Sequence, residues 1–158
     1  MLGDALRLII CLVVTLGVGF AGSLFTAPAV DTWYAALRKP AFTPPGWLFA
    51  PVWTALYVMM AAAAFLVWRV GAGSRWTVAA LTAFAVQLGL NFLWSVIFFG
   101  WKQPGWAMVD IIALWIMIAV TMALFARLSA LACWLLAPYI IWVTFASVLN
   151  FEIWRLNP

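Results

Sequence analysis

Charged residues are scarce in this chain, and histidine is missing altogether. Of its 158 residues, 8 are Lys or Arg, 4 are Asp or Glu, and none is His. The lack of histidine removes the commonest ligand of protein-bound metals, the commonest axial ligand of haem iron and the commonest general base. Apart from the pair Arg38–Lys39, the basic residues are scattered, which argues against a nucleic-acid partner.

Cysteine is also rare. Cys11 and Cys133 both lie within apolar segments, so we expect buried free thiols rather than a disulfide or a metal pair. The sequence shows no nucleophile–base pair, no metal-ligand set and no phosphate-binding loop. These absences argue against the usual enzyme classes, and we expect neither a metal site nor a required cofactor.

Five long stretches contain no charged side chain. They cover residues 8–30, 47–68, 76–101, 111–126 and 128–151. With its flanks, each stretch is about 20–25 residues long, which is what an α-helix needs to cross a hydrocarbon core of about 30 Å. A backbone in lipid must satisfy its own hydrogen bonds, so these segments are helices. Because the chain is 69% hydrophobic, with mean hydropathy +1.15, we predict an all-α membrane protein. We expect one transmembrane domain over residues 1–158, folded as a bundle of five transmembrane helices.

The predicted helices cover residues of about 5–26, 45–68, 77–100, 104–126 and 129–153, with a long loop at 27–44. Pro51 and Pro138 lie inside predicted helices, and we expect a kink at each. Five crossings would place four basic residues at each membrane surface, so the positive-inside rule does not decide the orientation.

Tryptophan is abundant, with 12 residues. Those near predicted helix ends fit the aromatic belt of a membrane protein. Trp53, Trp94, Trp115 and Trp142 lie deeper in the predicted helices. A deep tryptophan needs a hydrogen-bond partner for its indole N–H or a ligand on which to stack.

Polar and aromatic residues share a face on three of the predicted helices. The three sets are Trp53 and Tyr57; Gln87, Asn91, Trp94 and Ser95; and Tyr139, Trp142, Ala146 and Asn150. Neutral amides in membrane helices usually hold helices together, at about 0.6 kcal/mol each. Alternatively, aromatic walls with a few polar groups are the usual composition of a small-molecule pocket. The pattern leaves both interpretations open.

One acidic residue, Asp110, lies well inside a predicted helix. It shares a helical face with Trp106, so we expect the carboxyl group to point into the bundle rather than to lipid. It could accept a hydrogen bond between helices or belong to a transport path, and we favour the structural role.

Several short motifs occur in a characteristic order along the chain. They are Trp33-Tyr34, Lys39-Pro40, Thr43-Pro44-Pro45-Gly46-Trp47, Pro51-Val52-Trp53-Thr54, Asn91-Phe92-Leu93-Trp94, Phe98-Phe99-Gly100, Gly105-Trp106-Ala107, Pro138-Tyr139-Ile140-Ile141-Trp142 and Leu149-Asn150-Phe151. In this order the chain resembles the tryptophan-rich sensory protein / translocator protein family, known in its mammalian form as the peripheral benzodiazepine receptor. The resemblance implies a five-helix bundle in a bacterial cell membrane, usually a homodimer, with a pocket beneath the first loop.

The same resemblance implies that the pocket binds porphyrins, sterols and hydrophobic drugs. Carried over by position, its ligand-binding residues would be Ala21, Trp33, Tyr34, Phe49, Trp53, Asn91, Trp94, Trp106, Trp142, Ala146 and Leu149. We add Tyr57, which shares a face with Trp53. Trp33 and Tyr34 would lie in a lid formed by the loop, and Arg38 or Lys39 would meet porphyrin carboxylates. Sterols rank below porphyrins, because Phe151 replaces the tyrosine of the family's loose sterol motif between Leu149 and Arg155.

The sequence leaves three functions open. A receptor or sensor of tetrapyrroles fits the aromatic content. A transporter of porphyrins or sterols would need more intramembrane polar groups than the one acid found. The third is a photochemical activity, the light-dependent degradation of a bound porphyrin, with Trp53 or Trp142 as the reacting residue.

Overall fold

The computed structural model describes residues 3–71 and 73–158, and these form helices joined by turns, without a strand. The helices are α1 (Asp4–Ala29), α2 (Phe49–Val70), α3 (Arg75–Ser95), α4 (Pro104–Ala126), α5 (Ala130–Leu135) and α6 (Ala137–Leu156). Together with short π- and 3₁₀-helical segments they make five candidate membrane spans of 23 to 31 residues. The prediction of an all-α protein with five transmembrane helices is confirmed.

The first span is longer than predicted. After α1 a π-helical turn continues from Val30 to Tyr34, so the span covers Asp4–Tyr34, and the prediction of a loop from residue 27 is wrong at this end. Pro28 lies inside α1 without ending it. The Thr32 hydroxyl donates to the Pro28 carbonyl at 2.8 Å. Trp33 and Tyr34 therefore belong to the end of a helix, and the connecting loop is correspondingly shorter.

The two prolines predicted to kink helices lie at helix starts. Pro51 is the third residue of α2, directly after a 3₁₀ turn at Gly46–Leu48. A proline in the first turn costs little, because its missing N–H would have no partner inside the helix. Pro138 is the second residue of α6, which follows a break at Leu136 that separates it from α5. The fifth span is therefore two helices, with the break just before the proline.

The spans pack in a closed ring. α1 contacts α2 and α3, α3 contacts α4, and α4 contacts both α5 and α6. The ring closes where α5 packs against α2, whereas contacts between α2 and α6 are sparse. The break between α5 and α6 thus lets the fifth span contact α2 at one end of the bundle and diverge from it at the other.

The closed end of the bundle holds the tightly packed core. Ala61, Ala63 and Ala64 present small side chains on α2, with 0–3% exposure. Across from them the rings of Phe84 and Phe125 stack with centroids 5.9 Å apart. Small residues let helix backbones approach closely, which is the main source of helix association in lipid. The opposite end, called here the loop end, contains the connection between α1 and α2.

An amide side chain fixes that connection at the loop end. Asn157, just after α6, accepts from the Arg38 N–H at 3.0 Å and donates to the Arg38 carbonyl at 2.9 Å. The two bonds join the segment after the first span to the end of the fifth.

Candidate functional site

A cavity of about 620 Å³ lies between α1, α2, α6 and the end of α3, where α2 and α6 diverge. Its walls are rich in aromatic side chains: Phe20, Tyr34, Phe49, Trp53, Tyr57, Trp94, Phe98, Phe99 and Trp142. Phe20 is 69% exposed although it lines the cavity. The cavity is therefore open on the side of α1, which in a membrane faces lipid.

Glycines on α1 provide room for the cavity wall. A Cβ atom on Gly19 would lie 2.5 Å from Cε2 of Tyr57, so an α1 residue with a side chain cannot occupy this position unless the ring moves. A Cβ on Gly22 would lie 3.2 Å from the Ser95 hydroxyl. Gly19, Gly22 and Ser23 all line the cavity.

A chain of buried hydrogen bonds forms the cavity floor. The Tyr57 hydroxyl donates to Asn91 Oδ1, and Asn91 Nδ2 donates to the Tyr139 hydroxyl at 2.9 Å. Tyr139 in turn donates to Gln87 Oε1 at 2.8 Å. Asn91 both lines the cavity and joins α2, α3 and α6. The hydrogen bonds show the helix-joining role of this polar face, whereas a ligand-binding role remains a prediction.

A second amide, Asn150, holds Trp94 in place. The Trp94 indole N–H donates to Asn150 Oδ1 at 3.0 Å, and Asn150 Nδ2 donates to the Pro104 carbonyl at 2.8 Å. The Trp94 ring stacks on Phe98 with centroids 4.9 Å apart. These contacts join the end of α3 to α4 and α6 and fix the indole as part of the cavity wall.

Trp53 and Trp142 come from the two helices that diverge around the cavity. Trp53 lies 5.8 Å from Tyr57 and 6.3 Å from Tyr139, measured between ring centroids. Trp142 makes an edge contact with Phe49 at 6.0 Å. Such offset and edge-to-face arrangements are the favoured geometries of aromatic pairs. They keep both indoles in position at the cavity surface.

Most polar groups in the wall are already engaged. The hydroxyls of Ser23, Thr26 and Thr54 each donate to a carbonyl of the preceding helical turn, at 2.6, 3.2 and 2.8 Å. Of the Asp, Glu, Lys and Arg residues in the described ranges, Asp31 alone lines the cavity, and it is exposed. The cavity is therefore suited to an apolar ligand that forms few hydrogen bonds.

The structure brings most of the predicted ligand-binding residues to this cavity. Those that line it are Tyr34, Phe49, Trp53, Tyr57, Asn91, Trp94, Trp142, Ala146 and Leu149. Three predicted residues do not: Ala21, Trp33 and Trp106. Trp33 packs behind the wall, edge-on to Phe98 at 5.7 Å. Trp106 is 68% exposed, on a helix that does not line the cavity.

The predicted carboxylate-binding residues lie beside the cavity rather than in its wall. Lys39 Nζ is 4.7 Å from the ring centroid of Tyr34, which lines the cavity, and donates to the Ala35 carbonyl at 3.1 Å. Arg38 is exposed, with its backbone bound to Asn157. Sequence reasoning missed Asp31, because it lay in the predicted loop.

Asp110 is buried but does not line the cavity. Trp106, one turn before it, is exposed, so the expectation that both residues face the bundle interior is wrong for the tryptophan. The face that points inward continues instead through Ala107, Ile111 and Leu114.

The loose sterol motif is split between two faces of α6. Leu149 is buried and lines the cavity, whereas Phe151 is 43% exposed and packs beside Trp154. Arg155 pairs with Glu152. The three motif positions do not form one surface.

Comparison with known proteins gives consistent matches over nearly the whole chain. The TspO/MBR family model matches residues 10–155. The tryptophan-rich protein TspO of Archaeoglobus fulgidus is 47% identical over 154 residues, covering 98% of this chain and 99% of that protein. The translocator protein of Bos taurus is 40% identical over 140 residues, covering 88% of this chain and 83% of that protein. The tryptophan-rich sensory protein of Cereibacter sphaeroides is 42% identical over 127 residues, covering 80% of this chain and 78% of that protein.

Proposed function

We propose that this chain, which belongs to the TspO/MBR family, binds tetrapyrroles such as protoporphyrin IX in its aromatic cavity. Membership of the family supports a role as a membrane sensor or receptor. The ligand class is our proposal, and it extends to other flat hydrophobic molecules such as sterols and benzodiazepine-type drugs.

The cavity is the observation that carries this proposal. Its volume of about 620 Å³ lies within the range of about 300–1,000 Å³ for small-molecule pockets. Trp53 lies on α2 and Trp142 on α6, the two helices that diverge around the cavity, and Trp94 lies on α3. A flat conjugated macrocycle can stack on such rings, and each good aromatic contact contributes about 0.5–1.5 kcal/mol beyond area burial. The opening beside α1 gives a hydrophobic ligand a route from the bilayer.

A protoporphyrin IX titration of the purified protein in detergent, followed by tryptophan fluorescence, tests the proposal. We expect saturable quenching and a Kd raised about two- to tenfold in Trp142→Phe, because an aromatic contact is weakened. Trp134→Phe is the matched control, since Trp134 is 72% exposed and outside the cavity, and its Kd should be unchanged. Linear quenching without saturation would mean that the porphyrin only partitions into the micelle.

Charge recognition by Arg38 and Lys39 is a separate expectation. Lys39 lies over Tyr34 at the cavity edge, within reach of a ligand that stacks there. Replacing both residues with Gln should weaken the binding of protoporphyrin IX about threefold to tenfold, because its two carboxylates lose cationic partners. The dimethyl ester of the same porphyrin should bind both proteins alike. Equal losses for the acid and the ester would contradict this arrangement.

A photochemical role would use the same residues. On illumination an excited porphyrin could take an electron from Trp53 or Trp142, both of which line the cavity. Loss of porphyrin absorbance should then slow in Trp53→Phe and Trp142→Phe at saturating ligand. An unchanged rate in both variants would exclude these residues as donors.

The remaining expectations concern location and assembly. An integral multi-pass membrane protein follows from the five spans and the family. We place it in a bacterial cell membrane as a homodimer, by resemblance to the family. A single-copy mass for the purified protein in mild detergent would contradict the dimer.

A further inference from the structure

Two guanidinium groups meet at one indole at the end of the bundle opposite the loop end. The Cζ atom of Arg127 lies 4.7 Å from the ring centroid of Trp76, and that of Arg75 lies 5.3 Å from the same centroid. Arg75 begins α3, whereas Arg127 directly follows α4. Residues from two different spans thus form one small cationic cluster, which has no part in the cavity.

This cluster has no carboxylate partner. The other two arginines at this end of the bundle share Asp4, with Arg69 at 3.2 Å and Arg7 at 3.6 Å. The remaining acids of the chain lie on segments nearer the loop end: Asp31, Asp110 and Glu152. The residues outside the described ranges, Met1, Leu2 and Ala72, carry no acidic side chain. The charges of Arg75 and Arg127 are therefore left for a partner outside the chain.

The surroundings of the cluster are those of a membrane interface. Arg75 is the first residue of a candidate span, so its side chain lies at the level of lipid headgroups. Trp76 itself is 40% exposed, and an exposed apolar residue follows each arginine closely in the sequence, Val78 at 55% and Leu131 at 60% exposure. A ligand held here would thus meet positive charge and apolar surface together. Because both guanidinium groups lie over the Trp76 indole, each side chain has fewer rotamers left for ligand binding to fix.

We propose that Arg75, Trp76 and Arg127 form a binding site for the headgroup of an anionic phospholipid. Guanidinium groups bind phosphate through paired N–H donors, and the positive end of the α3 dipole adds to the attraction. The acyl chains then run along Val78 and the neighbouring lipid-facing surface. The apolar surroundings select a membrane lipid over a soluble phosphate.

Native mass spectrometry of the detergent-solubilised protein tests this site. Phosphatidylglycerol and phosphatidylcholine with identical acyl chains are titrated in parallel. Because each basic residue at a membrane surface adds attraction for anionic lipid, we expect one phosphatidylglycerol to bind about tenfold more tightly than phosphatidylcholine. In Arg75→Gln/Arg127→Gln the preference should fall to about twofold or less. Lys102→Gln/Arg155→Gln is the matched control, since it removes the same charge at the loop end and should keep the tenfold preference.

Three results would overturn the proposal. They are no lipid preference in the wild type, equal losses in the two double variants, and displacement of the lipid by millimolar glycerophosphoglycerol, the headgroup without chains. If Arg75→Gln/Arg127→Gln does not fold, Arg75→Lys/Arg127→Lys keeps the charge but loses the paired donors. Its preference should be about threefold, and a full tenfold preference in that variant would contradict guanidinium recognition.

Discussion

Single side chains in the cavity divide into those that the protein itself uses and those left for a ligand. Asn91 and Asn150 are committed to hydrogen bonds that join helices. The faces of Trp53 and Trp142 border the cavity instead. In lipid an unpaired polar group is costly, so the buried amides are best explained as supports that fix the aromatic walls. We therefore expect the aromatic faces to supply most of the binding energy of the proposed ligand.

Gly19 provides a sharp test at this scale. A Cβ in Gly19→Ala would collide with the Tyr57 ring, which would have to move from its bond to Asn91 or into the cavity. Overpacking of this kind costs about 1–3 kcal/mol, so we expect ligand affinity to fall about tenfold in a binding titration. Gly17→Ala is the control, because nothing lies within 4 Å of a Cβ there. Equal affinities in the two variants would contradict the contact.

Helices follow from the sequence more reliably than their ends do. The gaps between charged residues located all five spans, because a span must be long and apolar whatever its neighbours are. The predicted end of the first span, at about residue 26, was wrong, because the helix continues past Pro28 to Tyr34. Packing of Trp33 and Tyr34 against Phe98 extends the helix, and that contact is not visible in the local sequence.

The placement of the candidate-site residues likewise followed from the sequence only in part. Position in the family's motifs led to the residues of α2, α3 and α6 that line the cavity. Trp106 and Asp110, only four residues apart, were expected to share an environment, yet one is exposed and the other buried. Four residues on an α-helix rotate by about 400°, about 40° past a full turn, and this offset is enough to put one side chain in lipid and the other in the interior at the edge of a contact face. Such edge positions depend on how the helix is rotated in the bundle.

The link between Asn157 and Arg38 is the element-scale feature most open to experiment. Asn157→Ala removes both hydrogen bonds that hold the segment after the first span against the end of α6. Two such bonds contribute about 0.5–1.5 kcal/mol each. We therefore expect bound protoporphyrin to dissociate about three- to tenfold faster in stopped-flow displacement.

Gln103→Ala serves as its control, because Gln103 is exposed at the same end of the bundle and its side chain makes no capping hydrogen bond to α4. Its dissociation rate should equal that of the wild type. Unchanged dissociation in Asn157→Ala would mean that the link does not affect ligand exit.

At the scale of the whole molecule, the bundle is closed at one end and hollow at the other. α5 packs against α2 where alanines and the stacked Phe84–Phe125 pair fill the core. α6 then leaves α2, and aromatic side chains border the space between them. The cavity therefore ends at the buried hydrogen bonds of Asn91 and Tyr139 and does not continue through the bundle. This arrangement favours a receptor over a transporter.

The central claim is that the ligand occupies this cavity, and filling the cavity tests it most directly. Ala146 lines the cavity on α6, whereas Ala123 is exposed on α4 and serves as a matched site for the same substitution. Protoporphyrin binding is measured for Ala146→Phe and Ala123→Phe in the same detergent. We predict that Ala146→Phe abolishes saturable binding and that Ala123→Phe binds like the wild type. Undiminished binding in Ala146→Phe would show that the porphyrin binds elsewhere and would contradict the assignment.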